Sequence, residues 1–302
     1  MPPKVIIAGL LYSTIFGFSF LFTKNALDHV SPLTFLSLRF LVAFFSYLLL
    51  MVLRLVKLQR KPYWKLWKLV LFQPVLYFLF EAYGVQKINS SEAGMIIALI
   101  PVVVNMLAIF LLKEKGDLLH YLLVGLGFLG VSLIVGFNIT PGSASGKIFM
   151  LLAVLSGAMY SILSRKFSKG FTPGEITFFM MMTGAIFFTE FSIVTGNFKP
   201  VFNLHVITGA LYLGVLSSTL AFFLLNYAIK RVSPIVTTLF SNFTTVVSVV
   251  AGVVFRGERV GIQQIVGMVL IIASILTSAI RKKKISPDDR TLTKGAKTKI
   301  GF

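Results

Sequence analysis

Apolar runs of about twenty residues recur from one end of the chain to the other, separated by short polar gaps. Wound as an α-helix at about 1.5 Å per residue, a run of that length crosses a hydrocarbon layer about 30 Å thick. Lipid offers no water to bond a free backbone amide, so the helix is the stable form for such a run. Breaking the windows at charged or Pro/Gly clusters predicts ten helices, over residues 5–23, 33–53, 69–86, 93–112, 118–137, 147–165, 175–195, 206–227, 235–255 and 261–280. Only 13% of the 302 residues are charged, about half the share of a soluble domain. The chain reads as an all-α membrane protein with short linkers, and residues 281–302 read as a basic polar tail.

The formal charge of +19 sits mainly in the gaps between runs, a placement that points to membrane orientation and away from nucleic acid. Gaps on the amino-terminal side hold 22 Lys and Arg, those on the opposite side hold 6, and Arg39 alone falls inside a span. That asymmetry places both termini in the cytoplasm of a cell-membrane protein, and a miscounted span would scramble it. The cluster Arg281 to Lys284 is expected to hold the cytoplasmic end against anionic lipid. The first run is longer than a signal-peptide core and lacks an Ala-x-Ala exit, so it is kept as a span. The absence of cysteine excludes disulfides, thiolate metal sites and a cysteine nucleophile. His29, His120 and His205 are far apart in sequence and near run ends, so no metal or other cofactor is expected.

The chain repeats itself. At an offset of 144, Tyr83 meets Tyr227, Lys87 meets Arg231, Ile88 meets Val232, Glu114 meets Glu258 and Lys115 meets Arg259. At an offset of 141, Thr23 and Lys24 meet Ser164 and Arg165, and Ser31 and Pro32 meet Thr172 and Pro173. A three-residue change in the loop after the second span reconciles the two registers. Residues 4–137 and 147–280 are thus expected to form two five-helix units. An odd number of crossings sends the second unit through the membrane in the opposite sense, the inverted repeat of many secondary transporters.

Several of these segments resemble a known family. Arg39-Phe40-Leu41-Val42-Ala43, the run from Ala98 to Pro101 closing at Leu111-Leu112-Lys113-Glu114, Asn226-Tyr227-Ala228-Ile229-Lys230-Arg231-Val232-Ser233-Pro234 and Phe255-Arg256-Gly257-Glu258-Arg259 are similar to the EamA repeats of the drug/metabolite transporter superfamily. The resemblance covers residues 4 to 280 and implies a ten-helix exporter or exchanger of small metabolites, in a class that includes amino acid exporters. Thr245 stands where the second repeat usually has the proline seen at Pro101, so a helix break like that at Pro101 is not expected there.

Ionisable residues within spans are costly, so they mark function or structure. Three qualify: Arg39 about 9 Å inside the outer edge of its span, and Glu81 and Glu190 about 7.5 Å inside theirs. Their common level predicts a polar cluster in which Arg39 pairs one carboxylate and leaves the other to bind a substrate ammonium or carry a coupling proton. A purely structural Arg39–Glu81 bridge is the competing expectation. Gln73, Tyr77 and Glu81 fall at i, i+4 and i+8 beside Pro74, one stripe of a helix. Tyr12, Phe16, Ser19 and Thr23 form a second stripe, and Ser156, Tyr160 and Ser164 a third. Rings interspersed with hydroxyls suit an amphipathic organic solute, although membrane hydroxyls also bond neighbouring helices. Asn105 and Asn242 are further candidates, because an amide in lipid needs partners for both its donors and its acceptor. Glu114, Glu258 and Pro101 are assigned structural roles, the two carboxylates by pairing with Lys115 and Arg259 or by capping a neighbouring helix. Gly125-Leu126-Gly127-Phe128-Leu129-Gly130 fits a dinucleotide fingerprint as a string, but inside an apolar run it reads as small-residue helix packing.

The expected function is a non-enzymatic secondary transporter, monomer or homodimer. It would export or exchange small organic metabolites in the bilayer, amino acids first, driven by protons or by exchange. A lipid flippase is the alternative and predicts a sideways groove lined by Arg or Lys. A membrane-embedded lipid-modifying enzyme is a further one, for which no interfacial catalytic constellation is present.

Overall fold

The computed structural model describes residues 3–112, 118–135, 141–201, 203–232, 237 and 240–285. Among them the elements are helices: α1 (Pro3–Leu27), α2 (Pro32–Val52), α3 (Tyr63–Lys87), α4 (Ser90–Ile97), α5 (Ile100–Leu112), α6 (Leu118–Val135), α7 (Pro141–Phe167), α8 (Pro173–Val194), α9 (Leu204–Arg231), α10 (Ser241–Arg256) and α11 (Ile262–Ile285). Six of these, α1, α2, α3, α7, α8 and α9, are long and apolar enough to cross a membrane. Shorter apolar stretches cover Ser90–Val104, Gly125–Ile134, Asn242–Arg256 and Ile262–Ser274.

Two of the predicted spans are not the single straight helices expected. The 93–112 run begins earlier, at Ser90, and is split into α4 and α5 by a turn at Ala98–Leu99. Pro101 explains the break: it has no N–H to bond the Ile97 carbonyl, and its ring crowds that oxygen. The 69–86 run starts at Tyr63 and is interrupted at Gln73, whose backbone is extended (φ −150°, ψ 117°). Pro74 disfavours a helical conformation in the residue before it. Gln73 therefore does not continue the helical stripe of Tyr77 and Glu81. By contrast, α10 runs unbroken through Thr245, whose hydroxyl donates to the Gly94 carbonyl at 3.0 Å. The first predicted residues of that span, 235 and 236, lie outside the described residues, as do Glu114, Lys115 and residues 286–302 of the tail.

The repeated residues make repeated contacts. Ser31 caps α2 by accepting from Thr34 N, and Thr172 caps α8 by accepting from Glu175 N, each followed by proline in the first turn. Lys24 Nζ donates to the carbonyls of Val85 (3.0 Å) and Gln86 (2.8 Å) at the end of α3. Its counterpart Arg165 donates through Nη1 to Ile229 (2.7 Å) and Lys230 (2.8 Å) at the end of α9. Both place a cation on carbonyls that a helix leaves open and negative.

The most extensive packing joins α6 to α11, α2 to α8, α1 to α10 and α9, and α3 to α7. The α6–α11 seam is backbone against backbone: a Cβ built on Gly130 would lie 2.6 Å from the Gly267 carbonyl oxygen, and one on Gly267 would meet the Gly130 oxygen. Gly127 packs on Val102, whereas Gly125 meets nothing within 4 Å. The core that supports the centre is ring-rich, with Phe40 stacked on Phe188 (5.3 Å) and edge-on to Phe78 (5.1 Å).

Candidate functional site

A cavity of about 90 Å³ lies at the centre of the bundle, room for several waters. Tyr12, Phe16, Ser19 and Phe20 line it from α1, Arg39 from α2, and Gln73, Tyr77, Phe78 and Glu81 from α3. The other wall is Gly157, Tyr160 and Ser161 of α7 with Ser217, Phe222 and Leu225 of α9, closed by Ile97, Ile100, Thr237 and Thr244. Phe222 is the hub of the rings, edge-on to Phe16 (5.0 Å), Phe78 (5.7 Å) and Tyr160 (6.2 Å). Tyr12 donates to the Thr237 carbonyl at 2.8 Å, joining α1 to a residue ahead of α10.

Arg39 is buried to 2% exposure at the edge of this space. Its Nε donates to Ser218 Oγ (3.1 Å), its Nη2 to Ser217 Oγ (3.3 Å), and its plane lies over Phe78 at 4.2 Å. Nη1 stands 3.6 Å from Glu81 Oε2. Glu81 also receives the Tyr77 hydroxyl at 3.4 Å, and its Oε2 accepts no hydrogen bond among the described residues. Ser19 Oγ lies 3.0 Å from Ser217 Oγ, so a polar chain runs from α1 through α9 and α2 to α3.

The structure brings Tyr12, Phe16, Ser19, Arg39, Gln73, Tyr77, Glu81 and Tyr160 to this one space. It does not bring Glu190 there: that residue is exposed on α8, because the helix turns it away from the bundle axis. The expected three-residue cluster is therefore an Arg39–Glu81 pair. Thr23 is buried outside the wall, and Ser156 returns its hydroxyl to Leu152 of its own helix (3.0 Å). Asn242 is buried with both amide atoms unpartnered among the described residues and does not line the cavity. The Asn105 side chain lies outside the described residues. His29 and His205, far apart in sequence, stack at 5.3 Å. No group of three or more potential metal ligands occurs among the described residues.

Sequence reasoning passed over Ser217, Ser218, Phe222 and Asn226. Asn226 Oδ1 accepts from Tyr160 and Ser164, each at 2.7 Å, and its Nδ2 donates to Thr177 Oγ1 at 3.1 Å. The repeat offsets could have found part of this set. At 141, Phe16, Ser19 and Phe20 lead to Gly157, Tyr160 and Ser161; at 144, Gln73, Phe78, Glu81 and Ile100 lead to Ser217, Phe222, Leu225 and Thr244. All of these line the cavity.

Away from the cavity, Gly257 takes a left-handed conformation (φ 64°) after α10 and turns Glu258 onto the first residues of α4. The carboxylate accepts Ser90 N (3.0 Å), Ser90 Oγ (2.8 Å), Ser91 N (2.8 Å) and the Ser91 hydroxyl. Burial raises its pKa, but the hydrogen bonds from Ser91 and Ser90 outweigh that and hold it below the ordinary carboxylate value. Arg256 adds contacts to Glu258 (3.4 Å) and Asp28 (3.0 Å).

The sequence model of the EamA-like transporter family matches residues 3–136 and again residues 144–280. The chain belongs to the EamA-like transporter family. It is 33% identical to "Uncharacterized transporter YcxC" of Bacillus subtilis (strain 168), over 92% of this chain and 93% of the relative. "Uncharacterized transporter YetK" of the same organism is 25% identical over 89% and 85%, and "Protein PecM" of Dickeya dadantii (strain 3937) 22% identical over 74% and 78%. A solved structure described as "Crystal structure of protein" superposes with a TM-score of 0.70 at 19% identity, covering 95% of this chain and 100% of that one, which shows a shared fold. As an EamA-like transporter, the chain is a multi-pass membrane protein that works within a lipid bilayer on a small-molecule substrate.

Proposed function

We propose that the chain is a secondary carrier of ten spans, built as two inverted five-helix units over residues 4–137 and 147–280, with both termini in the cytoplasm. It would export or exchange a small organic metabolite, amino acids first, by alternating access to the central cavity. The observation that carries this reading is the wall itself: fourteen of its nineteen residues fall in seven pairs at the repeat offsets, so each unit contributes corresponding positions to one shared space. The paired packing supports it further. The α1–α9 contact answers α7–α3, and the α2–α8 and α6–α11 contacts each join a helix to its own counterpart. A wall of rings and hydroxyls fits an amphipathic solute.

Counterflow in proteoliposomes tests the reading, using a panel of amino acids, sugars and phosphorylated metabolites with and without a pH gradient. Saturable exchange of one class supports it; no exchange of any class across the panel overturns it. If Glu81→Gln transports with the wild-type pH profile, proton coupling through that residue is ruled out. The cysteine-free chain makes single reporters unambiguous. Lys57→Cys and Lys199→Cys should label from opposite sides of the membrane, Lys57→Cys from the cytoplasm; labelling from one side sinks the proposed orientation.

A further inference from the structure

We infer that the handle by which this cavity recognises its solute is an ammonium group, received by Glu81 among the surrounding rings, and that the solute needs no carboxylate. This rests on the carrier reading of the same cavity.

The argument starts from how unequally the two charges in the wall are served. Arg39 has Ser218 and Ser217 on two of its nitrogens and the face of Phe78 against its plane. Glu81 has only the Tyr77 hydroxyl at 3.4 Å and Arg39 Nη1 at 3.6 Å, with Oε2 accepting no hydrogen bond among the described residues. Buried acceptors are rarely left open, and a carboxylate has capacity for about four donors. What the site lacks is therefore a hydrogen-bond donor to Glu81 Oε2, which Arg39 Nη1 at 3.6 Å faces as a charge but does not bond. A protonated amine supplies three N–H groups and a positive charge in one compact group.

The walls favour the same sign. Tyr12, Phe16, Tyr77, Tyr160 and Phe222 all line the space, and the face of an aromatic ring attracts a cation. An anionic solute would find Nε and Nη2 of Arg39 taken by Ser218 and Ser217 and Nη1 already beside Glu81, a like charge. A neutral polyol would bury many hydroxyls against rings. A quaternary ammonium keeps the charge but has no N–H to give Glu81. The observations thus select a protonated amine with an apolar or aromatic body, of which a zwitterionic amino acid is one case.

The test uses the purified full chain and a matched series: phenethylamine, phenylalanine and 3-phenylpropionate. The concentration giving half-maximal thermal stabilisation is read for each, together with competition in counterflow. Phenethylamine is expected to act at a concentration about tenfold or more below 3-phenylpropionate, and Glu81→Gln to weaken phenethylamine by about tenfold. Glu81→Asp should retain part of the binding. Equal potency of the amine and the carboxylate, no binding of any probe, or a folded Glu81→Gln that binds phenethylamine as the wild type does would each overturn the inference. The wild-type series decides the matter if Glu81→Gln does not fold. If an anion exchanges in counterflow and the amine does not compete, the carrier stands and the ammonium site falls. If the amine binds and no panel solute moves, the carrier reading falls and the ammonium site stands.

Discussion

On the α2–α3 side of the cavity Arg39 and Glu81 face each other across 3.6 Å, whereas the corresponding positions, 141 and 144 residues on, hold Met180 and Leu225. At the helix ends the two halves agree closely: Lys24 and Arg165 reach the same pair of carbonyls in their respective neighbours. Duplication has preserved the side-chain contacts that tie one helix to the end of its neighbour and let the chemistry of the cavity diverge. Residues that keep their role in both halves are scaffold. Those present once are where selectivity can reside.

That contrast can be broken by making the first half copy the second. Arg39→Met alone leaves Glu81 buried without its counter-charge and should cost about 3–5 kcal/mol, read as a large fall in unfolding temperature. Arg39→Met with Glu81→Leu should return stability near the wild type, since an apolar pair often replaces a buried ion pair without loss, while transport drops to background. A stable single variant, or a double variant as unstable as the single, defeats this account.

Asn226, also present in only one half because Ala82 is its counterpart, gives the next largest effect. Asn226→Ala leaves the Tyr160 hydroxyl only the Met180 sulfur, takes the acceptor from Ser164 and removes a donor to Thr177, an expected loss of about 2 kcal/mol in thermal or denaturant unfolding. Lys24→Ala and Arg165→Ala sharpen the scaffold side: each should cost about 1 kcal/mol, and nearly the same amount. Clearly unequal losses would separate the two contacts.

The smallest effect is pH dependence at Glu258. Its pKa is depressed in the folded chain, so its contribution is complete above the ordinary carboxylate value and disappears as the pH falls through the lower folded value. Unfolding temperature should decline over that acid window in the wild type, and the decline should be shallower in Glu258→Gln.

Spans, duplication and family were legible because hydrophobicity over about twenty residues and fixed offsets survive without knowledge of neighbours. Helix rotation was not. When both lipid and interior are apolar, a span such as α8 shows no clear polar face, so the composition around Glu190 did not say that it points outward. The break before Pro101 was readable from backbone chemistry, because proline has no N–H to bond the Ile97 carbonyl. Ser217 and Ser218 were passed over because a serine in a membrane helix usually satisfies itself on its own turn. Their role appears only once Arg39 is seen to reach them from another helix.

The glycine seam between α6 and α11 has a consequence of its own. With no side chain on either partner, the two main chains leave no crevice for an acyl tail to wedge into, and neither residue can enlarge unless the opposing strand of carbonyls retreats. That seam is closed by absence, and each of the two positions is held at glycine by the other's main chain.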